Sequence, residues 1–238
     1  MHLMKMKAAV VFETANHPFT NTTPLKIEEV DLDPPGPGEV LVKVLAAGLC
    51  HSDLSAIEGM RPRKMPYVPG HEAAGIVEEV GAGVTRVKPG DHAILFFVPN
   101  CGTCTSCDRG EPYLCDTAYE ARSDGHLITG NHKIWLNGEV INHTSGVSCY
   151  AEYAVLAEGS VIPIEKDIPL EDAALFGCAV ITGVGAVVNT AAIPPGAKVA
   201  VLENLEFMKR WEAAKPQLPG LEHVVLMEGA ENYEAVDW

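Results

Sequence analysis

Along the first two thirds of the chain, apolar and polar residues alternate in short runs that predict β-strands. The segments between them, such as DPPGPGE and VKPGD, are rich in the glycine and proline residues that form turns. Many short strands at this spacing favour a barrel or a sandwich, and we expect a mainly β domain over residues 1–168. The predicted strands are residues 7–12, 25–30, 39–48, 74–81, 92–98 and 150–156.

The pattern changes after residue 168, where apolar residues recur with the period of a helix. Residues 170–190 begin with Glu171 and Asp172, and acidic side chains suit the first turn of a helix. The apolar face that follows predicts a helix over this segment. Its members are Ala173, Ala174, Phe176, Val180 and Val184.

The C-terminal part of the chain predicts a β-α-β tail. A short apolar strand at 198–202 is followed by an amphipathic helix at 203–215 and a second strand at 222–228. We therefore divide this part into a linking helix with a first strand, 169–202, and a tail, 203–238. The expected fold class is mainly β with an α/β tail.

Composition excludes several classes of partner. The chain has 238 residues and a formal net charge of −15, whereas binding to nucleic acid or an anionic membrane needs clustered Lys and Arg. The N-terminus lacks the apolar run of a signal peptide, and no segment approaches the roughly 18 apolar residues of a membrane helix. We expect a cytoplasmic protein, in which seven cysteines indicate metal binding or catalysis rather than disulfides.

The most specific chemical pattern is CGTCTSCDRGEPYLC, which contains Cys101, Cys104, Cys107 and Cys115. Four closely spaced thiolates can surround one tetrahedral Zn²⁺ and leave no position for water, so a site of this kind is structural. Residues 98–118 are expected to form a small lobe around it. An iron–sulfur cluster also suits thiolates and stays open as the competing interpretation.

Three further fragments carry residues that can bind a metal. They are GLCHSD with Cys50, GHE with His71 and Glu72, and FGCAVITG with Cys178. Two thiolates and one imidazole suit Zn²⁺ and leave a fourth position open. Each fragment alone is weak evidence, because a single cysteine on an apolar helix usually belongs to the core.

Taken together, the fragments occur in the order typical of one family. GHEAAGIVEEVGAGV at residues 70–84 resembles the signature of the zinc-dependent medium-chain alcohol dehydrogenases. GLCHSD lies before this segment, and the four-cysteine loop, AEYAV and the segment at 177–183 lie after it, which is the order found in the family. The resemblance covers about residues 5–202. It is close to the aryl and primary alcohol branch of the family and implies a GroES-like β-barrel catalytic domain.

The resemblance implies a role for each matching residue. Cys50, His71 and Cys178 correspond to the catalytic zinc ligands. Glu72 corresponds to a nearby carboxylate that joins or leaves the metal, and Asp53 to the acid that orients His71. The resemblance assigns the structural zinc to Cys101, Cys104, Cys107 and Cys115.

Four other positions concern the proton and the cofactor. Ser52 matches the hydroxyl that receives the proton of the alcohol, while the histidine that completes this relay in some relatives is matched by Ser55. Proton exit is therefore expected through water or His51. His51 also occupies the place of an arginine that contacts the cofactor pyrophosphate in relatives, and Thr182 falls where the nicotinamide binds.

The implied reaction uses one catalytic zinc, one structural zinc and NAD(P). The catalytic zinc lowers the pKa of a small alcohol and stabilises its alkoxide, which yields hydride to the nicotinamide and leaves an aldehyde. Residues 116–148, which look polar and irregular, help to shape the substrate cleft in relatives. His126, His132 and His143 in this segment are expected to be surface residues rather than a third metal site, and Cys149 a core residue.

The cofactor site is incomplete in the sequence. The family requires G-x-G-x-x-G after the strand that ends near Leu202, but Glu203 and Glu206 follow instead, and their carboxylates repel phosphate. The tail resembles an internal segment of AMP-forming acyl-CoA ligases without their phosphate-binding loop. Because the chain stops at Trp238 without room for a full cofactor sheet, we interpret Val201 as a junction, made by gene fusion, an assembly error or deliberate engineering.

Two functions of different classes follow. The first is an alcohol dehydrogenase-like oxidoreductase whose activity is impaired because the glycine-rich loop is missing. The second is a zinc-binding non-catalytic module or pseudoenzyme. The exposed edges of the tail strands also allow a partner chain to supply the missing sheet, and a homo-oligomer stays open because relatives associate through the cofactor domain.

Overall fold

The computed structural model describes residues 3–19, 22–190, 199–202 and 223–226. The chain divides into two compact units, Met1–Ile181 and Thr182–Trp238. Most of the described residues belong to the first unit.

Short strands and shorter helices alternate along the first unit. The strands are β1 (Met4–Val11), β2 (Leu25–Leu32), β3 (Glu39–Ala47), β4 (Tyr67–Val68), β5 (Ala73–Val80), β6 (His92–Leu95), β7 (Ile134–Leu136), β8 (Glu139–His143), β9 (Tyr153–Ala157) and β10 (Val161–Ile164). The helices are α1 (His51–Ile57), α2 (Thr105–Asp108), α3 (Asp116–Asp124) and α4 (Leu170–Ala173), and α5 (Ala179–Gly185) crosses into the second unit. Turns of 3₁₀-helix occupy Pro112–Leu114, Glu158–Ser160 and Ala174–Gly177, and a π-helical turn occupies Ala186–Thr190.

The strands form a closed barrel and a second sheet. The barrel has the order β1-β2-β7-β8-β4, and the five-stranded sheet has the order β10-β6-β5-β3-β9. Alternate residues of β1, namely Met6, Ala8 and Val10, are buried in the barrel cluster, as the period of a strand requires. A second cluster around Val42, Val77 and other sheet residues fills the interior of the five-stranded sheet. The expectation of a mainly β domain built around a barrel is confirmed.

All six strands predicted from the pattern are present, as β1, β2, β3, β5, β6 and β9. The interpretation of residues 116–148 as irregular was wrong, because this segment contains α3 and the antiparallel hairpin of β7 and β8. Asn137 and Gly138 form the hairpin turn, and both have positive φ. An Asn-Gly pair between apolar runs is the usual sequence signal for such a turn and could have identified the hairpin.

The predicted continuous helix over 170–190 was also wrong. The segment consists of α4, a 3₁₀ turn and α5, and Cys178 interrupts it with non-helical φ and ψ of −146° and −66°. The backbone of Gly177 lies against the carbonyl oxygen of Leu95, so closely that a side chain would collide with it. Of the predicted apolar face, Ala173 and Ala174 are buried, whereas Phe176 is 45% exposed.

The second unit contains the two strands predicted for the tail. These are β11 (Val199–Leu202) and β12 (His223–Leu226), which pair in parallel with Val199 opposite His223. Parallel neighbours need a crossover connection, which agrees with a β-α-β arrangement. The predicted helix at 203–215 lies outside the described residues, so the β-α-β tail, interpreted as a truncated and atypical Rossmann-like segment, and its resemblance to ligases stay predictions. Within the described ranges, no helix has the length and apolar character needed to cross a membrane.

Candidate functional site

The pairing of β3 with β5 brings the first metal-binding residues together. The strands are antiparallel and Ala47, the last residue of β3, lies opposite Ala73, the first residue of β5. The amide of Gly48 extends this pairing by donating to the carbonyl of Glu72 over 2.8 Å. Cys50 follows shortly after β3, so it meets His71 and Glu72 immediately before β5.

The next strand of the same sheet positions the fourth residue. Ala73 also lies opposite Leu95, the last residue of β6. Because the Gly177 backbone packs on Leu95, the following residue, Cys178, is held at the same sheet edge. Three neighbouring strand ends therefore meet at one place.

These four residues form a cluster that can hold a metal ion. One ligand atom from each of Cys50, His71, Glu72 and Cys178 lies within 4.8 Å of the other three. This span is close to twice the zinc–sulfur bond length of about 2.3 Å, so one ion can reach all four atoms. His71 and Glu72 are only 5% and 3% exposed, which keeps these two donors away from water, while Cys50 and Cys178 are partly buried. The donor atoms and their spacing therefore fit Zn²⁺.

Asp53 determines which nitrogen of His71 faces the cluster. Its Oδ1 atom lies 3.1 Å from Nδ1 of His71, and both side chains are buried. Nδ1–H donates to the carboxylate, which leaves the lone pair of Nε2 for a metal. Nε2 lies 3.9 Å from Oε1 of Glu72, on the side of the cluster.

Tyr150 is a residue that the sequence reasoning missed. Its hydroxyl lies 3.0 Å from Oδ2 of Asp53 and 3.1 Å from the carbonyl oxygen of Gly48. Burial, followed by the negative charge of Asp53, raises the pKa of the Tyr150 hydroxyl far above its usual value, so the group stays a donor. Nothing in the local pattern around Tyr150 indicates this contact, because Asp53 lies far away in the sequence.

The residues expected to handle the proton lie on α1. The hydroxyl of Ser52 donates to Sγ of Cys50 over 3.2 Å, which places it directly beside the metal cluster. Ser55 donates to the carbonyl of His51 over 3.1 Å, and its Oγ lies 3.4 Å from Nδ1 of the same histidine. His51 is exposed, so it connects this helix with solvent. Thr182 lies in α5 within the second unit, and its predicted contact with a cofactor stays a prediction.

The four-cysteine loop forms a second cluster. The ligand atoms of Cys101, Cys104, Cys107 and Cys115 all lie within 4.8 Å of one another. Sγ of Cys104 is 3.5 Å from that of Cys107 and 3.8 Å from that of Cys115. Tetrahedral zinc with bonds of about 2.3 Å sets its sulfurs about 3.8 Å apart, so this cluster also fits Zn²⁺.

Hydrogen bonds prepare these sulfurs for a metal. The amides of Thr103 and Cys104 donate to Sγ of Cys101 over 3.5 and 3.3 Å, and the amide of Ala118 donates to Cys115 over 3.4 Å. Burial raises the pKa of the Cys107 thiol to about 11, whereas hydrogen bonds from the hydroxyl of Thr117, from Thr103 and from the amide of Cys104 lower the pKa of the Cys101 thiol to about 5. A thiol with this pKa is a thiolate at neutral pH, which is the form that binds metal.

A cavity of about 410 Å³ lies against the four-cysteine loop, with Cys115, Asp116 and Arg122 among its lining residues. Phe97 lines it and also contacts the His71 ring edge to face, with ring centroids 5.1 Å apart. Tyr113, Leu114 and Tyr119 supply further apolar surface to the wall. The cavity is large enough for a small organic molecule. Aromatic and aliphatic side chains line part of it, as they do in most ligand sites.

The prediction that all three histidines of residues 116–148 lie on the surface was wrong. His143 is 2% exposed, and burial lowers its pKa to about 3. His126 and His132 are half-buried and their rings contact edge to face, 5.8 Å between centroids. Cys149 is 1% exposed, which confirms its prediction as a core residue.

Comparison with known proteins supports the same interpretation. Residues 36–166 match the model of the alcohol dehydrogenase GroES-like domain. The chain is 43% identical over 199 residues to S-(hydroxymethyl)glutathione dehydrogenase of Escherichia coli, an alignment that covers 83% of this chain and 52% of that protein. The chain thus spans about half the length of the curated relatives it matches.

Two solved structures share the fold over almost the whole chain. An alcohol dehydrogenase zinc-binding domain protein from Burkholderia ambifaria has a TM-score of 0.78 and 29% identity, covering 98% of this chain and 66% of that one. Benzyl alcohol dehydrogenase from Acinetobacter calcoaceticus has a TM-score of 0.77 and 28% identity, with the same coverage. With its GroES-like domain, its motifs and these relatives, the chain belongs to the zinc-dependent medium-chain alcohol dehydrogenase family.

Proposed function

We propose that this chain carries the catalytic domain of an alcohol dehydrogenase-like oxidoreductase, which converts a small alcohol to its aldehyde with NAD(P). The observation that carries the proposal is the cluster of Cys50, His71, Glu72 and Cys178. Asp53 supports it by accepting a hydrogen bond from Nδ1 of His71. A cluster with two thiolates and one imidazole is typical of catalytic zinc with an open position. The cysteines of the second cluster would hold a structural zinc ion.

Each residue has a defined task in this proposal. Zinc at the open cluster would polarise the oxygen of a bound alcohol and lower its pKa, and NAD(P) would supply the hydride acceptor. Asp53 keeps His71 in the tautomer that presents Nε2. Ser52, whose hydroxyl lies 3.2 Å from Sγ of Cys50, is positioned to take up the proton of the alcohol. His51 provides the exposed group through which the proton reaches solvent.

The cavity beside Phe97 is the proposed place of the substrate. Phe97 links the cavity to the open cluster through its contact with His71, and the aromatic part of the wall favours a substrate with an apolar or aromatic body. None of the seven cysteines is in a disulfide, which supports the proposed cytoplasmic location because that compartment keeps thiols reduced.

A second candidate function is a zinc-binding module without redox chemistry. It is favoured by the sequence after β11, where Glu203 and Glu206 replace the glycines that would allow a pyrophosphate to approach. In that case both zinc ions bind, but neither reduced nor oxidised cofactor does.

The deciding experiment uses the full chain loaded with zinc. Its zinc content is measured first, and NADH and NADPH are then titrated by fluorescence, followed by a search for NAD(P)-dependent oxidation of benzyl alcohol and short aliphatic alcohols. Saturable cofactor binding with turnover supports the dehydrogenase. Two bound zinc ions without cofactor binding support the second candidate, and a chain that binds no zinc at the open cluster contradicts both.

A matched pair of variants assigns the outcome to the cluster. Cys178→Ala removes a proposed ligand, and Cys149→Ala removes a nearby buried thiol that lies outside both clusters. We expect the first variant to lose one zinc ion and any turnover, and the second to keep both zinc ions.

A further inference from the structure

We infer that Tyr150 is a positioning residue for the open metal cluster, because its hydroxyl holds the carboxylate that orients His71. This inference rests on the proposed function, since it concerns the same metal centre. It adds a residue beyond the ligands and beyond the pair of Asp53 and His71.

The Tyr150 hydroxyl contacts two residues of the chain segment that carries Cys50. It lies 3.0 Å from Oδ2 of Asp53 on α1 and 3.1 Å from the carbonyl oxygen of Gly48, two residues before Cys50. The other carboxylate oxygen of Asp53, Oδ1, faces Nδ1 of His71 at 3.1 Å and the amide of Gly70 at 3.3 Å. The two oxygens of Asp53 are therefore held from opposite sides, one by Tyr150 and one by the segment that carries His71.

The ring of Tyr150 contacts a second segment, the one that carries His71. It packs against Gly70, the residue before His71, so closely that a side chain at this position would collide with the ring. Main-chain hydrogen bonds also join the two segments. The amide of Tyr150 donates to the carbonyl of Pro69 over 3.1 Å, and the amide of Cys149 donates to the carbonyl of Gly70 over 3.2 Å. The position of the hydroxyl is thus set by backbone pairing rather than by a flexible side chain.

A phenol has one proton, so it cannot donate fully to both oxygens at once. Of the two acceptors, the charged carboxylate forms the stronger bond. The hydroxyl therefore reduces the freedom of Asp53 to rotate, and the carboxylate transmits this restriction to the imidazole. Without the hydroxyl, Oδ2 of Asp53 loses a donor in a buried site, and we expect the carboxylate to turn away from His71.

The test replaces Tyr150 by Phe, which keeps the ring against Gly70 and removes only the hydroxyl. Tyr153→Phe is the matched control, because it makes the same chemical change on β9, where the ring packs against the barrel cluster instead. The full chain is loaded with cadmium-113, whose NMR signal differs between a centre with four thiolates and a centre with two thiolates and an imidazole. The four-cysteine centre then serves as an internal reference for folding.

We expect Tyr150→Phe to shift the cadmium signal of the open cluster, to leave that of the four-cysteine centre in place, and to weaken zinc binding at the open cluster about fivefold. Replacing a direct partner of a metal-bound histidine typically weakens binding about 10- to 100-fold, and Tyr150 lies one hydrogen bond further away. Tyr153→Phe should leave both signals and the zinc affinity unchanged.

A double substitution separates positioning through Asp53 from an effect through Gly48. If Tyr150 acts through the carboxylate, Tyr150→Phe has little additional effect on zinc affinity in a chain that already carries Asp53→Asn. An equal fivefold loss in both backgrounds overturns the inference, and so does an unshifted cadmium signal in Tyr150→Phe. If the wild-type chain gives only the four-cysteine signal, the proposed function fails, and the inference about Tyr150, which rests on it, is overturned with it.

Discussion

His71 and Asp53 form a buried pair in which Nδ1 lies 3.1 Å from Oδ1. The carboxylate comes from helix α1 and the imidazole from the segment before β5, so the pair joins the two parts of the chain that carry Cys50 and His71. The two residues are 18 positions apart in the sequence, so local structure alone does not bring them together. The pair is therefore a fold contact and, in the proposed function, a determinant of metal binding.

Removing the charge of this pair should weaken the open metal centre. In Asp53→Asn the side chain keeps its shape but loses the negative charge that accepts the Nδ1–H of His71. We expect zinc affinity at the open cluster to fall about 10- to 100-fold, measured by competition with a chelator. Asp33→Asn, which alters a carboxylate bonded to Trp135 on the barrel, is the control and should retain wild-type affinity. Equal affinity of the two variants would show that Asp53 does not act on the metal.

Loss of one cysteine of the loop should affect only the structural metal. Cys115 is buried and accepts hydrogen bonds from the amides of Cys101 and Ala118. We expect Cys115→Ser to reduce the zinc content of the full chain from two ions to one and to increase proteolytic cleavage within residues 98–118. Mass spectrometry under native conditions and limited trypsin digestion measure both effects. Retention of two ions in this variant is the result that contradicts a four-cysteine zinc site.

His143 should make the fold sensitive to mild acid. Burial lowers its pKa to about 3 in the folded state, against an ordinary value of 6.5. The unfolded chain therefore binds the proton first as pH falls below 6.5, and the stabilising contribution, complete above that pH, decreases progressively towards pH 3. The loss amounts to about 2 kcal/mol at pH 5.

The matching variant is His143→Gln, whose amide oxygen can still accept from the amide of Lys133, as Nε2 of His143 does over 3.2 Å. Its free energy of unfolding in urea should change less between pH 7 and pH 5 than that of the wild type. His51→Gln, at an exposed position, should keep the wild-type change. An identical pH dependence in wild type and His143→Gln would mean that the buried imidazole is not responsible.

The buried ion pair of Glu39 and Lys133 should be important for stability. Glu39 is 0% exposed, and its carboxylate lies 2.6 Å from Nζ of Lys133. Burial by itself would raise the pKa of Glu39, but hydrogen bonds from Lys133, Thr129, Asn131 and the amide of Gly36 hold it below its usual value. We expect Lys133→Met to lower the free energy of unfolding by about 3–5 kcal/mol, because it leaves a buried charge without its partner.

The exposed pair of Lys5 and Glu29 provides the comparison, since both of its side chains are 65% exposed. Lys5→Met should change stability little, because solvent screens such a pair. Urea unfolding at pH 7 compares the two variants. A small effect of Lys133→Met would show that water reaches Glu39 once the lysine is gone.

The two sets of candidate metal ligands and most strands were predictable from the sequence, the four-cysteine set from its spacing and the open cluster from the resemblance of several motifs to one family. Apolar and polar residues alternate along some strands of the sheet, and other strands are continuously apolar. The candidate ligands lie in short segments near the ends of these elements. The four cysteines lie within one loop, so their spacing alone limits them to one centre. Cys50 and His71 needed only the antiparallel pairing of two neighbouring strands to come together.

Contacts between distant segments were not predictable. Glu39 begins a strand, and its partners Thr129, Asn131 and Lys133 come from a region that looked irregular by sequence. Tyr150 comes shortly before β9 and Asp53 shortly after β3. The two meet because β9 lies beside β3 in the folded sheet. The break at Cys178 depends on the approach of Gly177 to Leu95, which no helical periodicity reports.

The convergence of three strand ends also determines when the open cluster can form during synthesis. Cys50 and His71 leave the ribosome early, and β3 can pair with β5 while the rest of the chain is still being made. Cys178 emerges long after them and after all four cysteines of the loop. A nascent chain therefore presents a complete four-thiolate centre while the open cluster still lacks a ligand, so the structural metal is the first that the growing protein can hold.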